Sequence, residues 1–331
     1  MGLPFPQIDP ADPQAAVKIL WNYYYQWWYN GNALGNTAVE WVNATGLDRR
    51  SIQNVRFLYY DAQPRDLSPP QNPHNLLQQF LATTIEPADV YGTAALAWRF
   101  RDGDKRDLMW AYVPALRRVR QVSPSNRSDG FLGSDLSQDD GPFFDGKPQD
   151  FVWKLAGETE MYRLTDPFSL KSDVDFQKGS DGGWRILTKD VPRTGYQVTG
   201  WKGLGWAPLS LCLAKRKLWI IEGTPKDRYY LFGKIQLYIE KDSFEGTWNR
   251  KFDWKGELVN YFVNGRGMKQ SPDGHDYFDA GPAAIIFAEN VRMNRATVAQ
   301  PPPGKNTPFV TYRTRFDPRL FEYQELMRVG K

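Results

Sequence analysis

Apolar and polar residues alternate along much of the chain, and this alternation is its dominant pattern. It is clearest in three segments, Ala94–Arg101, Leu231–Glu240 and Phe244–Trp254. In each of them most apolar side chains fall on one parity of position, and polar or charged side chains fill the other. Successive side chains of a strand point to opposite faces of a sheet. The pattern therefore predicts antiparallel strands with one apolar face.

Ten further segments have the composition of strands. They are Ala38–Ala44, Val55–Tyr60, Leu108–Val113, Leu116–Val122, Phe151–Leu155, Met161–Thr165, Arg185–Thr188, Lys215–Glu222, Leu258–Val263 and Ala284–Val291. Turn-forming pairs such as Lys255-Gly256 and Asn264-Gly265 separate them at short intervals, which is typical of a meander. Helical signal is confined to Asp12–Gln26 and Pro73–Thr83. We therefore expect an α+β protein dominated by one large antiparallel sheet.

The chain has 331 residues and shows no internal repeat that would divide it. Single β-rich domains run to about 250 residues, so one domain spanning residues 1–331 is the leading interpretation. Two irregular segments interrupt the strands: Ser123–Gln149, rich in Ser, Asp, Gly and Pro, and the run Pro301–Pro303. Loops longer than about 12–15 residues within a compact fold are usually functional or mobile.

Charge and rare residues exclude several functional classes. The chain carries 42 Lys and Arg against 38 Asp and Glu, a formal charge of +4, with both signs spread along it. No dense basic stripe is present, so no nucleic-acid partner is expected. One cysteine, Cys212, and two isolated histidines, His74 and His275, fit no metal-binding pattern, and neither a metal nor a cofactor is predicted. No apolar run reaches about 18 residues, so no transmembrane helix is predicted.

Aromatic residues make up 15% of the chain, including 13 Trp, which implies large flat apolar surfaces for burial or for binding. They are densest in the segment Trp21–Tyr29, where seven of nine residues are aromatic. These side chains could line the mouth of an apolar cavity, pack as part of an ordinary core, or stack on sugar rings. The first two interpretations both remain open from the sequence.

A hairpin-like unit, Trp110–Arg120, turns at Pro114 and carries three arginines. Arg118 and Arg120 fall on one face of the predicted strand and Arg117 on the other. Their guanidinium groups could receive an anionic headgroup or a partner's carboxylates, or they could pair with acidic residues of this chain. The acids considered for such pairing are Asp129, Asp135, Asp139 and Asp140.

The acidic stretch Asp129–Gly141 lacks the spacing and the closing Glu of a calcium loop, so capping and pairing with arginine are favoured over a metal. Neither histidine lies near a nucleophile-elbow pattern. The glycines of Gly200–Gly205 lack the strand and helix of a nucleotide loop. No specific carboxylate pair suggests glycoside cleavage. Because no catalytic set is coherent, the sequence favours a binding protein over an enzyme.

Several blocks of sequence resemble an uncharacterised bacterial family of outer-membrane lipoprotein-sorting-like proteins that is grouped with LolA and LolB. The blocks are Gly92-Thr93, Trp98-Arg99-Phe100, Trp110–Arg120, Asn126–Gly130, Asp139-Asp140 and Phe144–Gly146, with further likeness in Gly2–Pro6, Trp21-Asn22, Lys217–Trp219, Tyr238–Glu240 and Phe252–Glu257. Together they cover nearly the whole chain and form a specific signature.

The resemblance implies a periplasmic protein with a strongly curved antiparallel sheet that forms an incomplete β-barrel, in which a few helices plug or cover the concave face. It also implies an apolar cavity for lipid, lipoprotein acyl chains or other hydrophobic cargo. Partners implied are a transporter of the resistance-nodulation-division type and outer-membrane components. The family's secretion signal is missing before Gly2–Pro6, so we expect it to have been removed or truncated. The family supplies no catalytic residues.

The predicted site follows from strand parity. The residues expected on the concave face, around the apolar cavity, are Trp98, Phe100, Trp110, Trp248, Phe252 and Trp254. Trp27 and Trp28 are expected near its opening. Arg117, Arg118 and Arg120 are candidates for contact with a headgroup or partner, and Asp129, Asp139 and Asp140 are expected to be structural acid partners. A one-residue shift in register would move every such side chain to the other face.

Two other classes of function remain as alternatives. A glycan-active or glycan-binding β-sandwich would place two acids in an open cleft. A docking subunit of a transporter would have a filled interior and use the arginine hairpin and Ser123–Gln149 as its contact surface. The carrier instead predicts a mostly apolar, partly closed cavity.

Overall fold

A computed structural model of the chain describes residues 3–123, 127–164, 174–188, 193–209, 211–265, 268–279, 285–302 and 308–329. Within them lie two helices, α1 (Ala15–Trp28) and α2 (Leu326–Val329). The strands are β1 (Ala33–Asn43), β2 (Gly46–Tyr59), β3 (Leu76–Glu86), β4 (Ala94–Phe100), β5 (Leu108–Val113), β6 (Arg118–Val122), β7 (Phe151–Leu164), β8 (Val174–Lys178), β9 (Trp184–Thr188), β10 (Arg193–Thr194), β11 (Pro208–Leu209), β12 (Leu213–Pro225), β13 (Lys234–Glu240), β14 (Gly246–Phe252), β15 (Leu258–Gly265), β16 (Met268–Gln270), β17 (Tyr277–Asp279), β18 (Ile285–Asn290), β19 (Arg295–Gln300) and β20 (Pro308–Tyr312).

Sixteen of these strands form one sheet in which every pair is antiparallel. Its main path runs β6-β5-β4-β3-β2-β1-β19-β18-β15-β14-β13-β12-β7. A branch leaves β1, whose first residues pair with β20, and continues through β9 to β8. Within the described residues β6 and β7 pair on one side only, so the sheet is not closed. The predicted large antiparallel sheet is therefore confirmed.

The sheet is strongly curved. Met109 of β5 and Ile286 of β18 are six strands apart along the sheet, yet both line one cavity. At the other end, β7 contacts β15 across the three strands that lie between them. Both contacts require the sheet to curl toward one face, which we call the concave face.

The two edge strands, β6 and β7, are consecutive in the sequence. The segment that joins them, described over residues 127–150 and called the plug here, crosses the concave face. Phe143 of the plug packs directly on β14, since a Cβ added at Gly246 would lie 1.9 Å from Phe143 Cδ1. The irregular segment of the sequence thus fills the interior of the curved sheet.

Helix α1 also lies on the concave face, where it contacts β7 and β12. Ile19, Tyr23 and Trp27 recur at helical spacing, and their side chains are buried in the main core with Phe143 of the plug. The N-terminus of the helix has no side-chain cap, so we attribute the stability of the helix mainly to this aromatic packing. The helix predicted over Asp12–Gln26 is confirmed.

The second predicted helix, Pro73–Thr83, is wrong, because this segment forms most of β3. Its apolar residues fit a helical period, but the sheet buries it on both sides. Phe80 lies on the concave face opposite Phe57 and Ala97, and Leu81 lies on the other face in a separate apolar cluster. Pairing with two neighbouring strands decides the structure over local propensity.

The convex face of β2–β6 is covered by the C-terminal segment of the chain. Phe316, Phe321 and Leu326 pack in one cluster with side chains from β2–β6. Farther along the convex face, Trp206 packs on β15, β18 and β19 and donates its indole N–H to Glu289. Both faces of the sheet are thus buried over much of its area.

Candidate functional site

A cavity of about 250 Å³ lies between the concave face of the sheet and the plug. Its apolar lining comes from β1–β5, β18–β20, α1 and the plug. The apolar residues that line it are Trp27, Ala33, Val39, Val55, Phe57, Phe80, Ala97, Trp98, Met109, Phe131, Leu136, Pro142, Ile286, Ala299, Val310 and Tyr312. The cavity is slightly smaller than typical ligand pockets, which span roughly 300–1,000 Å³. Its size therefore suits one narrow apolar group.

Polar side chains hold the plug against the sheet. Lys251 of β14 is buried on the concave face, and its Nζ lies 2.5 Å from Asp140 Oδ2 and 3.0 Å from Asn260 Oδ1. Asn260 in turn donates to the main-chain oxygen of Asp135, at 3.0 Å. Asp135 accepts from Arg295 at 3.1 Å. These contacts fix the central residues of the plug over β14, β15 and β19.

A second buried network joins the plug to β4 and to the β4–β5 turn. Arg99 Nη2 lies 2.9 Å from Asp107 Oδ2, and Arg99 Nη1 lies 2.9 Å from Asp145 Oδ1. Arg127 Nη1 lies 3.1 Å from the same Asp107 Oδ2, and Arg127 Nε lies 2.5 Å from Asp139 Oδ1. Two guanidiniums and three carboxylates therefore share one buried cluster, which we call the arginine–aspartate cluster.

The cluster shifts the pKa values of its acids in opposite directions. Burial alone would raise the pKa of Asp107, but the adjoining Arg99 and Arg127 more than offset it, and the pKa lies below its usual range. At Asp145 burial prevails and raises the pKa, although the same two arginines oppose it. Burial also raises the pKa of Asp140 against the opposing effect of Lys251.

The arginine–aspartate cluster separates the cavity from a polar cleft. Asp107 and Arg127 line both. The cleft, of about 810 Å³, lies where the β4–β5 turn approaches the start of β7 and the β12–β13 loop. Its other lining residues are Arg106, Asp139, Asp150, Phe151, Pro225, Lys226, Asp227, Arg228, Tyr229 and Tyr230. An apolar and a charged compartment thus share one wall.

The face of the sheet predicted for five aromatic residues is wrong. Residues paired across strands share a face, and the registers place the following five on the convex face: Trp98, Phe100, Trp110, Trp248 and Phe252. The concave positions beside them are Ala97 and Arg99 of β4, and Asn249 and Lys251 of β14. Parity was inverted because both faces are buried, so the more aromatic face is not the one around the cavity.

The convex aromatic residues have identifiable partners. Trp98 is among the residues that line the cavity, and its indole N–H donates to the main-chain oxygen of Phe321 at 2.8 Å. Trp110 stacks on Tyr323, with ring centroids 5.6 Å apart. Trp248 packs beside Tyr261 in the cluster that contains Trp206. These side chains hold covering segments on the sheet.

The remaining predicted aromatic residues lie in three different settings. Trp27 lines the cavity, and its indole N–H donates to Tyr59 Oη at 2.9 Å. Trp28 is buried between α1 and β2, beside Tyr59. Trp254 is exposed in the β14–β15 turn, outside the concave face. Of the predicted aromatic residues, Trp27 and Trp98 are therefore the two that are among the residues lining the cavity.

The predicted arginines lie at the edge of the sheet. Arg117, Arg118 and Arg120 are exposed in the β5–β6 hairpin. Within the described part of the chain, no acidic side chain forms an ion pair with any of them. Arg118 and Arg120 share the parity of Met109, a cavity residue. Their role toward a headgroup or partner stays a prediction.

The predicted acid partners have different counterparts from those considered. Asp139 binds Arg127 and accepts from Tyr230 Oη at 2.9 Å, and Asp140 binds Lys251. Asp129 is exposed on the plug. The pairing of the acids with the arginine hairpin, considered from the sequence, is wrong for Asp135, Asp139 and Asp140, since Asp135 binds Arg295.

The alternation of residues along the strands contained a signal for two concave residues that the sequence analysis did not identify. Arg99 and Lys251 are the charged residues that alternate with aromatic ones on β4 and β14. The sequence analysis predicts one apolar face for these strands and assigns no partner to the charged one, which the plug covers in the structure. Among the described residues no group of three or more His, Cys, Asp and Glu side chains is placed to hold a metal ion. Neither described helix is long and apolar enough to cross a membrane.

Comparison with known proteins places this fold in a family. The family model described as a protein of unknown function, DUF1329, matches residues 1–326. The chain belongs to the DUF1329 family. Among curated proteins, an uncharacterized protein of Pseudomonas aeruginosa is 24% identical over 264 residues. The match covers 74% of this chain and 50% of the other, so this DUF1329 member spans about half the length of that relative.

Solved structures show the same fold. A DUF1329 family protein from Desulfovibrio piger has a TM-score of 0.61 at 17% identity, covering 96% of this chain and 99% of that one. A domain from Vibrio parahaemolyticus named for outer membrane lipoprotein sorting has a TM-score of 0.61 at 16% identity, covering 96% and 100%. A LolA superfamily protein from Nitrosomonas europaea has a TM-score of 0.51 at 12% identity, covering 94% and 98%. The predicted LolA-like incomplete barrel is confirmed.

Proposed function

We propose that this protein binds an elongated apolar ligand, such as an acyl chain, in the concave cavity and carries it reversibly. The observation that supports this is the cavity itself, where side chains such as Val55, Phe57 and Met109 line a space between the curved sheet and the plug. A protein of the LolA superfamily shares the fold. The proposal needs no covalent chemistry.

The size of the cavity limits the cargo. A volume of about 250 Å³ suits one chain better than a lipid with several chains. Each buried methylene contributes about 0.8 kcal/mol, so ten would contribute roughly 8 kcal/mol. Loss of translational and rotational freedom on association opposes this by an estimated 4–15 kcal/mol. We therefore expect modest affinity and easy release, which suits a carrier.

We also propose a setting for the carrier. The resemblance to lipoprotein-sorting-like proteins supports a periplasmic location and service to an envelope export system. A transporter of the resistance-nodulation-division type and outer-membrane components are the proposed partners. The DUF1329 relative from Desulfovibrio piger and the LolA superfamily protein support the fold on which this proposal rests.

The glycan-active alternative has less support from the polar cleft. Asp107 and Asp139, two of its acids, are engaged by Arg99 and Arg127. A nucleophile or general acid needs a carboxyl group that can reach substrate. We accordingly infer that the arginine–aspartate cluster has a structural role, holding the plug against β4 and the β4–β5 turn, and no catalytic role.

Native mass spectrometry of the purified chain tests the proposal, followed by organic extraction and analysis of whatever co-purifies. A stoichiometric lipid or other apolar species supports the carrier and identifies the class of cargo. An empty protein that also fails to take up a fluorescent fatty acid contradicts it. Incubation with oligosaccharides in the same instrument tests the glycan alternative, because bound or cleaved sugar would favour that function instead.

A further inference from the structure

Exposed apolar side chains gather at one end of the large sheet. The strand registers place six connecting turns at this end: β1–β2, β3–β4, β5–β6, β12–β13, β14–β15 and β18–β19. Large exposed apolar side chains at or beside these turns are Leu47, Val90, Tyr91, Leu116, Tyr229, Leu231, Trp254, Val291 and Met293. Single exposed apolar residues are normal on a protein surface, but their accumulation at one rim points to a contact surface.

Three of these turns form one continuous patch, residues 226–233, 253–257 and 291–294, which we call the rim patch. Trp254 donates its indole N–H to the main-chain oxygen of Tyr230 at 2.9 Å. Arg292 Nη2 lies 2.6 Å from both Asp253 Oδ2 and Glu257 Oε2. These contacts tie the middle turn to its neighbours on both sides.

The rim patch presents its apolar side chains outward from a fixed backbone. The exposed fractions are 89% for Tyr229, 56% for Leu231, 51% for Trp254 and 58% for Met293. Between the first two, Tyr230 is buried in the main core. Because Tyr230 is packed in the core, the backbone of the patch has little conformational freedom to lose on contact.

The charges of the rim patch favour an anionic surface. Lys226, Arg228 and Lys255 are exposed, and in the described part of the chain no acidic side chain forms an ion pair with them. The two carboxylates beside Trp254 bind Arg292, whereas Asp227 accepts from the main-chain N–H of Tyr229 and keeps its charge. The patch thus carries four basic and three acidic side chains, a net formal charge of +1. Tyr and Trp flanked by Lys and Arg are the side chains that suit the interface of a membrane with anionic lipids.

We propose that the rim patch docks this protein on the surface of a bilayer that contains anionic lipids. Tyr229, Leu231, Trp254 and Met293 enter the interfacial layer, and Lys226, Arg228 and Lys255 contact lipid phosphates. The patch borders the polar cleft, which Lys226, Arg228 and Tyr229 help to line. The docked orientation therefore brings the cleft to the lipid headgroups. Docking is independent of the concave cavity, so it can be tested whether or not the cavity binds an acyl chain.

Flotation of the full chain with vesicles tests the proposal. Vesicles of phosphatidylcholine alone are compared with vesicles of phosphatidylcholine and phosphatidylglycerol. The apolar variant combines Tyr229→Ser, Leu231→Ser and Trp254→Ser, and the charge variant combines Lys226→Glu and Arg228→Glu. The control combines Tyr162→Ser and Leu213→Ser, two side chains that are 59% and 63% exposed near the opposite end of β7 and β12. Circular dichroism and thermal unfolding confirm that each variant folds.

The wild type and the control are expected to float with the anionic vesicles, and added salt should weaken this binding because it screens exposed charges. The apolar variant and the charge variant should each bind about tenfold or more weakly. The proposal is overturned if the wild type floats with neither vesicle, or if it binds both compositions equally. It is also overturned if the rim variants bind as the wild type does, in which case the patch would fit a protein partner instead.

Discussion

Lys251 and Asp140, 111 residues apart in the sequence, form a buried ion pair in which Nζ lies 2.5 Å from Oδ2. The lysine belongs to the concave face of β14 and the aspartate to the plug. Both side chains are almost fully buried. The pair therefore fixes the plug over the sheet and sets the floor of the space that remains beside it, where Asp140 lines the cavity.

Removing one member of this pair should destabilise the protein strongly. Lys251→Met leaves Asp140 buried without its counter-charge, and the expected loss is about 3–5 kcal/mol of unfolding free energy. Urea unfolding at neutral pH measures it. The double variant Lys251→Met/Asp140→Leu should recover most of the loss, because a buried pair can often be replaced by apolar side chains of similar size. A single variant as stable as the wild type would show that the pair does not hold the plug.

The arginine–aspartate cluster predicts a pH dependence. The folded-state pKa of Asp107 is depressed, since Arg99 and Arg127 more than offset the effect of burial. A depressed pKa adds stability that is fully present above the unfolded value of about 3.9 and is lost as the pH falls through the folded pKa. Asp107→Asn should therefore be less stable than the wild type at neutral pH and should lose less stability below about pH 4. Urea midpoints across this range test the sign. Parallel curves for the two proteins would contradict it.

The side chain of Trp98 should stabilise the packing of the C-terminal segment and should not contribute to ligand binding. Its indole packs on the convex face and donates to Phe321, so Trp98→Ala should cost about 3–5 kcal/mol and expose residues 316–329 to protease. Trp248→Ala is the matched control, because Trp248 lies on the convex face away from that segment. Limited proteolysis followed by mass spectrometry locates the cleavage. Loss of fatty-acid uptake by folded Trp98→Ala, with the C-terminal segment still protected, would restore the concave assignment of Trp98.

The sequence predicted the sheet well because each strand carries its own alternation. The segments Ala94–Arg101 and Leu258–Val263 match β4 and β15 closely. The segments Phe151–Leu155 and Met161–Thr165 are predicted as two strands, but residues 151–155 and 161–164 are parts of one strand, β7, which runs through a register shift near Gly157. Thr165 lies outside the described residues. Short strands with weak patterns, such as β19 and β20, were missed.

The site could not be predicted in the same way, since it depends on what covers each face. On β4, Trp98 and Arg99 point to opposite sides, and local chemistry suggests that the tryptophan is the buried one. In the structure both are buried, the tryptophan by the C-terminal segment and the arginine by the plug. Contacts such as Arg99 with Asp145 join residues that no local pattern relates. The signal available in the sequence is the alternation of polar and aromatic positions along β4 and β14. It identifies which residues share a face of the sheet, but it does not identify the segment of the chain that packs on that face.

The central claim is that an apolar ligand occupies the concave cavity, and filling that cavity tests it most directly. Ala97 lines the cavity on the concave face of β4, so Ala97→Phe should fill part of the space. Ala111 shares this face on β5 but lies outside the lining, so Ala111→Phe is the matched control. The measurement is a fluorescence titration of a fatty acid carrying a terminal fluorophore into the wild type and both variants.

The account predicts saturable binding to the wild type and to Ala111→Phe, with at least about tenfold weaker binding to Ala97→Phe, which is 1.4 kcal/mol of lost binding free energy. Thermal unfolding shows whether the filled variant remains folded. Equal binding by all three proteins, each folded, would contradict the claim that the concave cavity holds the ligand.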